Sequence, residues 1–187
     1  VRLALPAESA NTLLAFTNFG NAFKIDLEIA PESRFRDKGY KFTEIVKDAV
    51  KGEYPEAFFT YDKLPQGDLL FFTKQGMIKK TEWSEYDIIK SAYQAIKLKD
   101  GDELVKVEPD LPETTIAFIT KDGLCLNALK DDIPRQGRVA GGVKGINLNE
   151  GDEIVFLGQI DDSGEFIVIT GGGCFKRVIV GDIEPMA

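Results

Sequence analysis

The sequence repeats itself, and an internal repeat limits a fold more tightly than any single motif. Four segments share one pattern: an apolar run, a threonine, two residues, a glycine and a second run. They are "LLAFTNFGNAFKI" from Leu13, "LLFFTKQGMIKKT" from Leu69, "IAFITKDGLCLNA" from Ile116 and "FIVITGGGCFKRV" from Phe166. The threonines are Thr17, Thr73, Thr120 and Thr170. The glycines Gly20, Gly76, Gly123 and Gly173 stand 56, 47 and 50 residues apart. Each segment reads as a β-hairpin with glycine at the turn position that tolerates positive φ.

A second half follows each hairpin. "AIKLKDGDELVKVE" from Ala95 and "GINLNEGDEIVFLG" from Gly145 place matching Gly-Asp-Glu turns between apolar strands, and "FTEIVKDAVKGEYPEAFFT" from Phe42 is a looser version. The fourth repeat stops at "IEPMA", and the opening "VRLALPAES" matches the repeat tail "LVKVEPDLPE". The chain therefore reads as a fragment with three whole units and cut ends. Four short strands per unit of about 50 residues predict an all-β fold, a partial array of propeller-like blades. The expected blades are 1–66, 67–113, 114–163 and an incomplete 164–187. A β-sandwich of meanders fits the regular spacing less well. "EWSEYDIIKSAYQ" from Glu82 is the one helix-like stretch and is read as a loop with at most one turn, with Trp83 and Tyr86 packing there rather than stacking on a base.

Composition removes whole classes of chemistry. The chain has 187 residues and no histidine, which excludes histidine triads, histidine metal sites and imidazole acid–base work. Asp131–Asp132 and Asp161–Asp162 are adjacent acids in turns, where solvated loop roles dominate. The two cysteines, Cys125 and Cys174, lie far apart in apolar runs and read as buried free thiols, not as a disulfide or a metal site. No catalytic residue, metal or cofactor is expected, and no membrane span or signal peptide is recognisable. The default placement is cytoplasmic.

The net charge of -8 taken alone argues against nucleic acid, because phosphate contacts need lysine and arginine. The charge is segregated, however. "KQGMIKK" from Lys74 and "RFRDKGYK" from Arg34 each carry +3, whereas "KDGDELVKVEPD" from Lys99 carries -3. Four residues after each turn glycine stand Lys24, Lys80, Asn127 and Arg177, and Lys79 and Lys176 adjoin two of them. A cation repeated at one strand position predicts a track along a curved rim, suited to backbone contacts that read no sequence. Arg34, Arg36, Arg135, Arg138 and Lys144 add loop cations. "GRVAGGVKGINLNEGDEIV" from Gly137 holds five glycines. Such glycines permit close approach to a phosphate, or shape the crossing between blades.

"LLFFTKQGMIKKT", "AIKLKDGDELVKVE" and above all "GRVAGGVKGINLNEGDEIV" resemble the C-terminal domain of the A subunit of bacterial DNA gyrase and of its topoisomerase IV counterpart. The resemblance covers essentially the whole chain. It implies a β-pinwheel, a propeller variant in which neighbouring blades exchange strands, with DNA wrapped on its outer rim. It implies a non-catalytic, sequence-independent DNA-binding domain that presents duplex for strand passage. The parent would be an ATP-dependent type IIA topoisomerase of the bacterial nucleoid. Its catalytic tyrosine would lie upstream, and its partner would be the ATPase B subunit. The gyrase box Q-R-R-G-G-K-G is absent. "PRQGRVAGGVKG" from Pro134 and "SRFRDKGYKF" from Ser33 occupy comparable loops without it, which leaves gyrase against topoisomerase IV open. The alternative function is a protein-interaction propeller that docks a partner through its rim or through the acidic turns around Asp100 and Asp152.

Overall fold

A computed structural model of the chain describes residue 6 and residues 12–29 and 32–186. The opening "VRLALPAES" falls outside these apart from Pro6. Among the described residues there are thirteen strands, one short α-helix and four single-turn 3-10 segments. The four hairpins are β1 (Thr12–Thr17) with β2 (Asn21–Asp26), β4 (Asp68–Thr73) with β5 (Met77–Glu82), β8 (Thr115–Thr120) with β9 (Cys125–Ala128), and β12 (Glu165–Ile169) with β13 (Phe175–Ile179).

The repeated Thr-x-x-Gly is one hydrogen-bonded device. Each threonine carbonyl accepts the N–H of its glycine, at 2.9 Å for Gly20 and 3.0 Å for Gly76. Each threonine hydroxyl accepts the next N–H, at 3.1 Å from Met77 and 3.2 Å from Leu124 and Cys174. The glycine sits at φ 76 to 89°, a region costly for a side chain.

The second halves supply the remaining strands. β3 (Pro55–Tyr61), β7 (Leu104–Pro109) and β11 (Ile154–Ile160) pair with β1, β4 and β8 of their own units. β6 (Ala92–Gln94) and β10 (Val143–Lys144) cross instead to the sheet before their own, giving the orders β3-β1-β2-β6 and β7-β4-β5-β10. β3 packs against β7, so neighbouring sheets converge along those edges and β6 and β10 lie on the opposite, outer edges. The third sheet has three strands. Met186 bridges Ala128 in parallel and donates its N–H to the Asn127 carbonyl at 2.7 Å, as Gln136 does to the Lys80 carbonyl at 2.8 Å, so it repeats the connection that precedes a crossing strand. The fourth hairpin stands alone as a two-stranded sheet.

Packing follows from strand alternation. Leu69 and Phe71 face a core with Leu14, Phe16, Trp83, Tyr86 and Ile96. Leu70 and Phe72 face a second core with Ile78, Ile116, Phe118 and Ile146. The unbroken "LLFF" is thus a strand buried on both faces. The helix α1 (Phe42–Ile45) covers the outer face of the first sheet, with the Phe42 ring 5.6 Å from Phe23.

The Gly-Asp-Glu turns lock the second half of a unit onto its hairpin. Asp102 accepts the N–H groups of Gln75 and Glu103, each at 2.9 Å, and Asp152 accepts those of Asp122 and Glu153 at 3.0 and 2.9 Å. In the first unit buried Glu53 serves the same end, taking the Thr17 hydroxyl at 2.6 Å. The cysteines correct the sequence reading: both are free, but both are exposed. Cys125 lies on the last strand of an incompletely covered sheet and Cys174 on the unaccompanied hairpin, so the apolar runs around them lack the neighbours that would bury them.

Candidate nucleic-acid interface

The glycine-rich stretch builds the crossing between sheets. Gly142 has φ 83°, and a Cβ there would run into the Ile78 carbonyl; one on Gly145 would run into the Phe118 ring. The N–H of Gly145 donates to the Gly76 carbonyl at 2.8 Å, and Gln136 holds the Gly142 N–H at 3.0 Å. The chain passes so close to β5 that only glycine fits. These contacts are with protein, which assigns these glycines to blade exchange.

The cations divide into tethered and free groups. Lys24, Lys80, Asn127 and Arg177 do share one register, opposite Leu14, Leu70, Ala117 and Ile167. The first three are tied into the fold. Lys24 donates to Asp87 at 3.2 Å and to the Ile88 carbonyl at 2.8 Å, on the segment arriving from the next unit. Lys80 pairs with Asp110 at 3.0 Å, and Asn127 donates to the Ile183 carbonyl at 2.9 Å. Asp110 also takes Lys130 at 2.5 Å. Burial pulls the Asp110 carboxyl up, but the hydrogen bonds from Lys130 and Lys80 outweigh this and hold it below the usual carboxylate range. Arg177 is exposed and pairs loosely with Glu165 at 3.5 Å.

Lys79 overturns its assignment to an exposed track. It is completely buried. Its three protons go to the Tyr86 hydroxyl at 3.1 Å and to the Ala95 and Arg138 carbonyls at 2.6 Å each, and the ammonium lies 4.5 Å from the centre of the Phe71 ring. Burial, then the nearby Arg138 guanidinium, push its pKa down to about 7, with Glu85 opposing. The repeat itself held the warning: three residues after the turn glycine the first and third units carry Phe23 and Leu126, both packed in apolar clusters, so this offset points inward wherever a neighbour covers the sheet. Lys79 fastens β5, the crossing chain and the 138 loop to one another.

Two loop arginines are also committed. Arg135 clasps Asp68 through Nε and Nη2, both at 2.9 Å. Arg138 donates to the Gln94 carbonyl and lies 5.4 Å over the Tyr93 ring, with a part of its surface still open. Arg34, Arg36, Lys144 and Lys176 are exposed and make no side-chain ion pair among the described residues. Arg34 and Arg36 share the 32–41 loop with Lys38 and Lys41, all exposed. Lys90 and Lys97 are exposed on the crossing from the second unit. The sequence reading passed over these two because they occupy no repeated offset.

Similarity to known proteins agrees with this architecture. The family model described as DNA gyrase C-terminal domain, beta-propeller, matches residues 67–109 and 114–161, the second and third units. The chain is 33% identical to the DNA topoisomerase 4 A-subunit of Bacillus subtilis over 94% of its own length, and 29% identical to the DNA gyrase A-subunit of Chlamydia trachomatis over 95%. In both cases it spans 22% of the relative's length. A crystal structure of the C-terminal domain of DNA topoisomerase IV superposes with a TM-score of 0.86 at 28% identity, covering 96% of this chain and 56% of that one. With its strand-exchanged sheets and repeated hairpins, the chain belongs to the family of C-terminal β-propeller domains of the DNA gyrase and topoisomerase IV A subunits.

Proposed function

We propose that this domain binds duplex DNA without reading its sequence and presents it to the rest of a type IIA topoisomerase. The observation that carries the reading is the segregation of free cations. In a chain of net charge -8, the 32–41 loop exposes Arg34, Arg36, Lys38 and Lys41 against two acids, Glu32 and Asp37, and the Asp37 carboxylate is engaged by the Arg34 N–H at 3.0 Å. Lys144 on β10 and Lys176 and Arg177 on β13 extend the exposed positive charge along the array. Phosphate-neutralising contacts of this kind give affinity and position, not base specificity. The work is electrostatic and calls for no cofactor.

The units 1–66, 67–113, 114–163 and 164–187 act in this reading as successive blades of one curved support. The parent is an ATP-dependent isomerase of the bacterial cytoplasm that acts on the nucleoid. It carries the catalytic tyrosine outside this domain and works with an ATPase B subunit. A protein-docking role through the acidic turns around Asp100 and Asp152 is less favoured: Asp100 is exposed, but Asp102 and Asp152 are buried and spend their carboxylates on backbone N–H groups. The test is fluorescence anisotropy with duplexes of unrelated sequence at several salt concentrations. The reading expects equal affinities that fall steeply with salt; affinity flat in salt overturns it.

A further inference from the structure

Two large apolar side chains stand entirely in solvent: Phe35 at 103% and Ile89 at 105% of full exposure. Folding does not account for either. Phe35 lies between Arg34 and Arg36 on the connection that follows the 3-10 turn Leu27–Ile29. Ile89 lies beside Lys90 on the connection that follows the 3-10 turn Trp83–Tyr86. The third such connection, after Lys130–Asp132, exposes Val139 next to Arg138. Ile89, Lys90, Tyr93, Arg138 and Val139 line one shallow depression of about 650 Å³ beside the crossing strand β6. The same juxtaposition, an apolar tip flanked by cations, therefore recurs on three successive connections, two of which lead into the outer-edge strands β6 and β10.

We propose that Phe35 and the Ile89–Val139 pair are apolar wedges that enter the minor groove and part base steps, while the flanking cations hold the phosphates on either side. The proposal rests on the DNA-binding reading and adds a bending mode to it. A wedge at repeated blade positions would kink the duplex at discrete steps around a curved support, where phosphate contacts alone would bend it smoothly. Unstacking is cheapest at TA and CA/TG steps, so such wedges favour deformable steps over stiff A-tracts without any hydrogen bond to a base. Charge selects the occupant. Phe35 is flanked by Arg34 and Arg36, which make no ion pair among the described residues. Ile89 is flanked by exposed Lys90, with half-open Arg138 across the depression, where the lining acid Asp87 is paired with Lys24. An apolar tip beside such cations suits a polyanion with an apolar interior, and the stacked base pairs of a duplex are that.

The test uses the whole chain and duplexes labelled at both ends for energy transfer, one with a central TA step and one with an A-tract. Wild type should bend the TA duplex and prefer it. Phe35→Ala and Ile89→Ala should each lose about tenfold in affinity for the TA duplex, lose the bend and the preference, and keep the wild-type salt slope, because no phosphate contact is removed. Phe35→Leu, which retains an apolar wedge, should stay near wild type. Both positions are exposed, so melting temperatures should not move. Alanine variants that bind and bend as wild type does, or whose salt slope falls with their affinity, overturn the wedge and leave the DNA reading standing. Wild type that binds neither duplex overturns the DNA reading and the wedge with it.

Discussion

Lys79 and Lys176 occupy the same offset from the turn glycine in hairpins of the same motif, and their fates are opposite. Lys79 is caged between sheets with every proton donated; Lys176 is in solvent. The difference extends to whole hairpins. β4 is buried along its full length, whereas β12 alternates between exposed and half-buried. The local motif makes the turn in both, as the matching threonine hydrogen bonds show. Burial comes from strands outside the motif: β7 on one side, β10 crossing on the other, and a sheet against each face. β12 and β13 have only each other.

The largest expected contrast is in the core. Phe72 and Ile169 both precede the motif threonine, but one is fully buried and the other 71% exposed. Phe72→Ala should destabilise by about 3–5 kcal/mol in urea unfolding, and Ile169→Ala by less than about 0.5 kcal/mol. Equal losses would mean that the fourth hairpin is covered in solution. Lys79→Met should cost about 2–4 kcal/mol, because it takes the ammonium donor from the Arg138 carbonyl and leaves the Ala95 carbonyl and the Tyr86 hydroxyl with only each other, while Lys176→Met should be near neutral. The glycines repeat the lesson. Gly142→Ala should cost about 2 kcal/mol or more, from positive φ and the overlap with Ile78, whereas nothing lies within 4 Å of a Cβ on Gly171 and its change to alanine should hardly register.

Lys79 also makes stability depend on pH. In the folded chain Lys79 titrates near 7, below its usual 10.5. Between those values the unfolded chain holds a proton that the folded chain has released, so stability should rise with pH across that window. Tyr61, Tyr86 and Tyr93 are shifted the other way, each raised chiefly by burial, so stability should fall again above pH 10. Thermal melts from pH 7 to above pH 10 should therefore show a maximum. In Lys79→Met the rising limb should vanish while the falling limb persists; a rising limb that survives would assign it to another group.

These contrasts also show what was legible in the sequence. The hairpins, the all-β class and the blade repeat follow from local chemistry: threonine and glycine at a fixed spacing and apolar runs of strand length. The strand exchange was visible only through the family resemblance, since β6 and β10 are three and two residues long and pair with a different unit. Burial of the cations was not read. Lys24 and Lys80 look like a repeated surface charge until Asp87 and Asp110 arrive from distant segments to meet them. Lys79 could have been read inward from Phe23 and Leu126 at its offset. Phe35 and Ile89 gave no signal, because exposure of a lone apolar residue in a loop is set by what fails to cover it.

The division of cations into tethered and free is what most needs testing, and the salt dependence of duplex binding tests it most directly. Log affinity against log salt should be measured by anisotropy for wild type, for Arg34→Gln with Arg36→Gln, and for Lys24→Gln with Lys80→Gln. Each phosphate contact contributes about 0.9 to the slope. The slope should be about two units shallower for the arginine pair, and unchanged for the lysine pair, whose charges are spent on Asp87 and Asp110. A shallower slope for the lysine pair with none for the arginine pair would contradict the division.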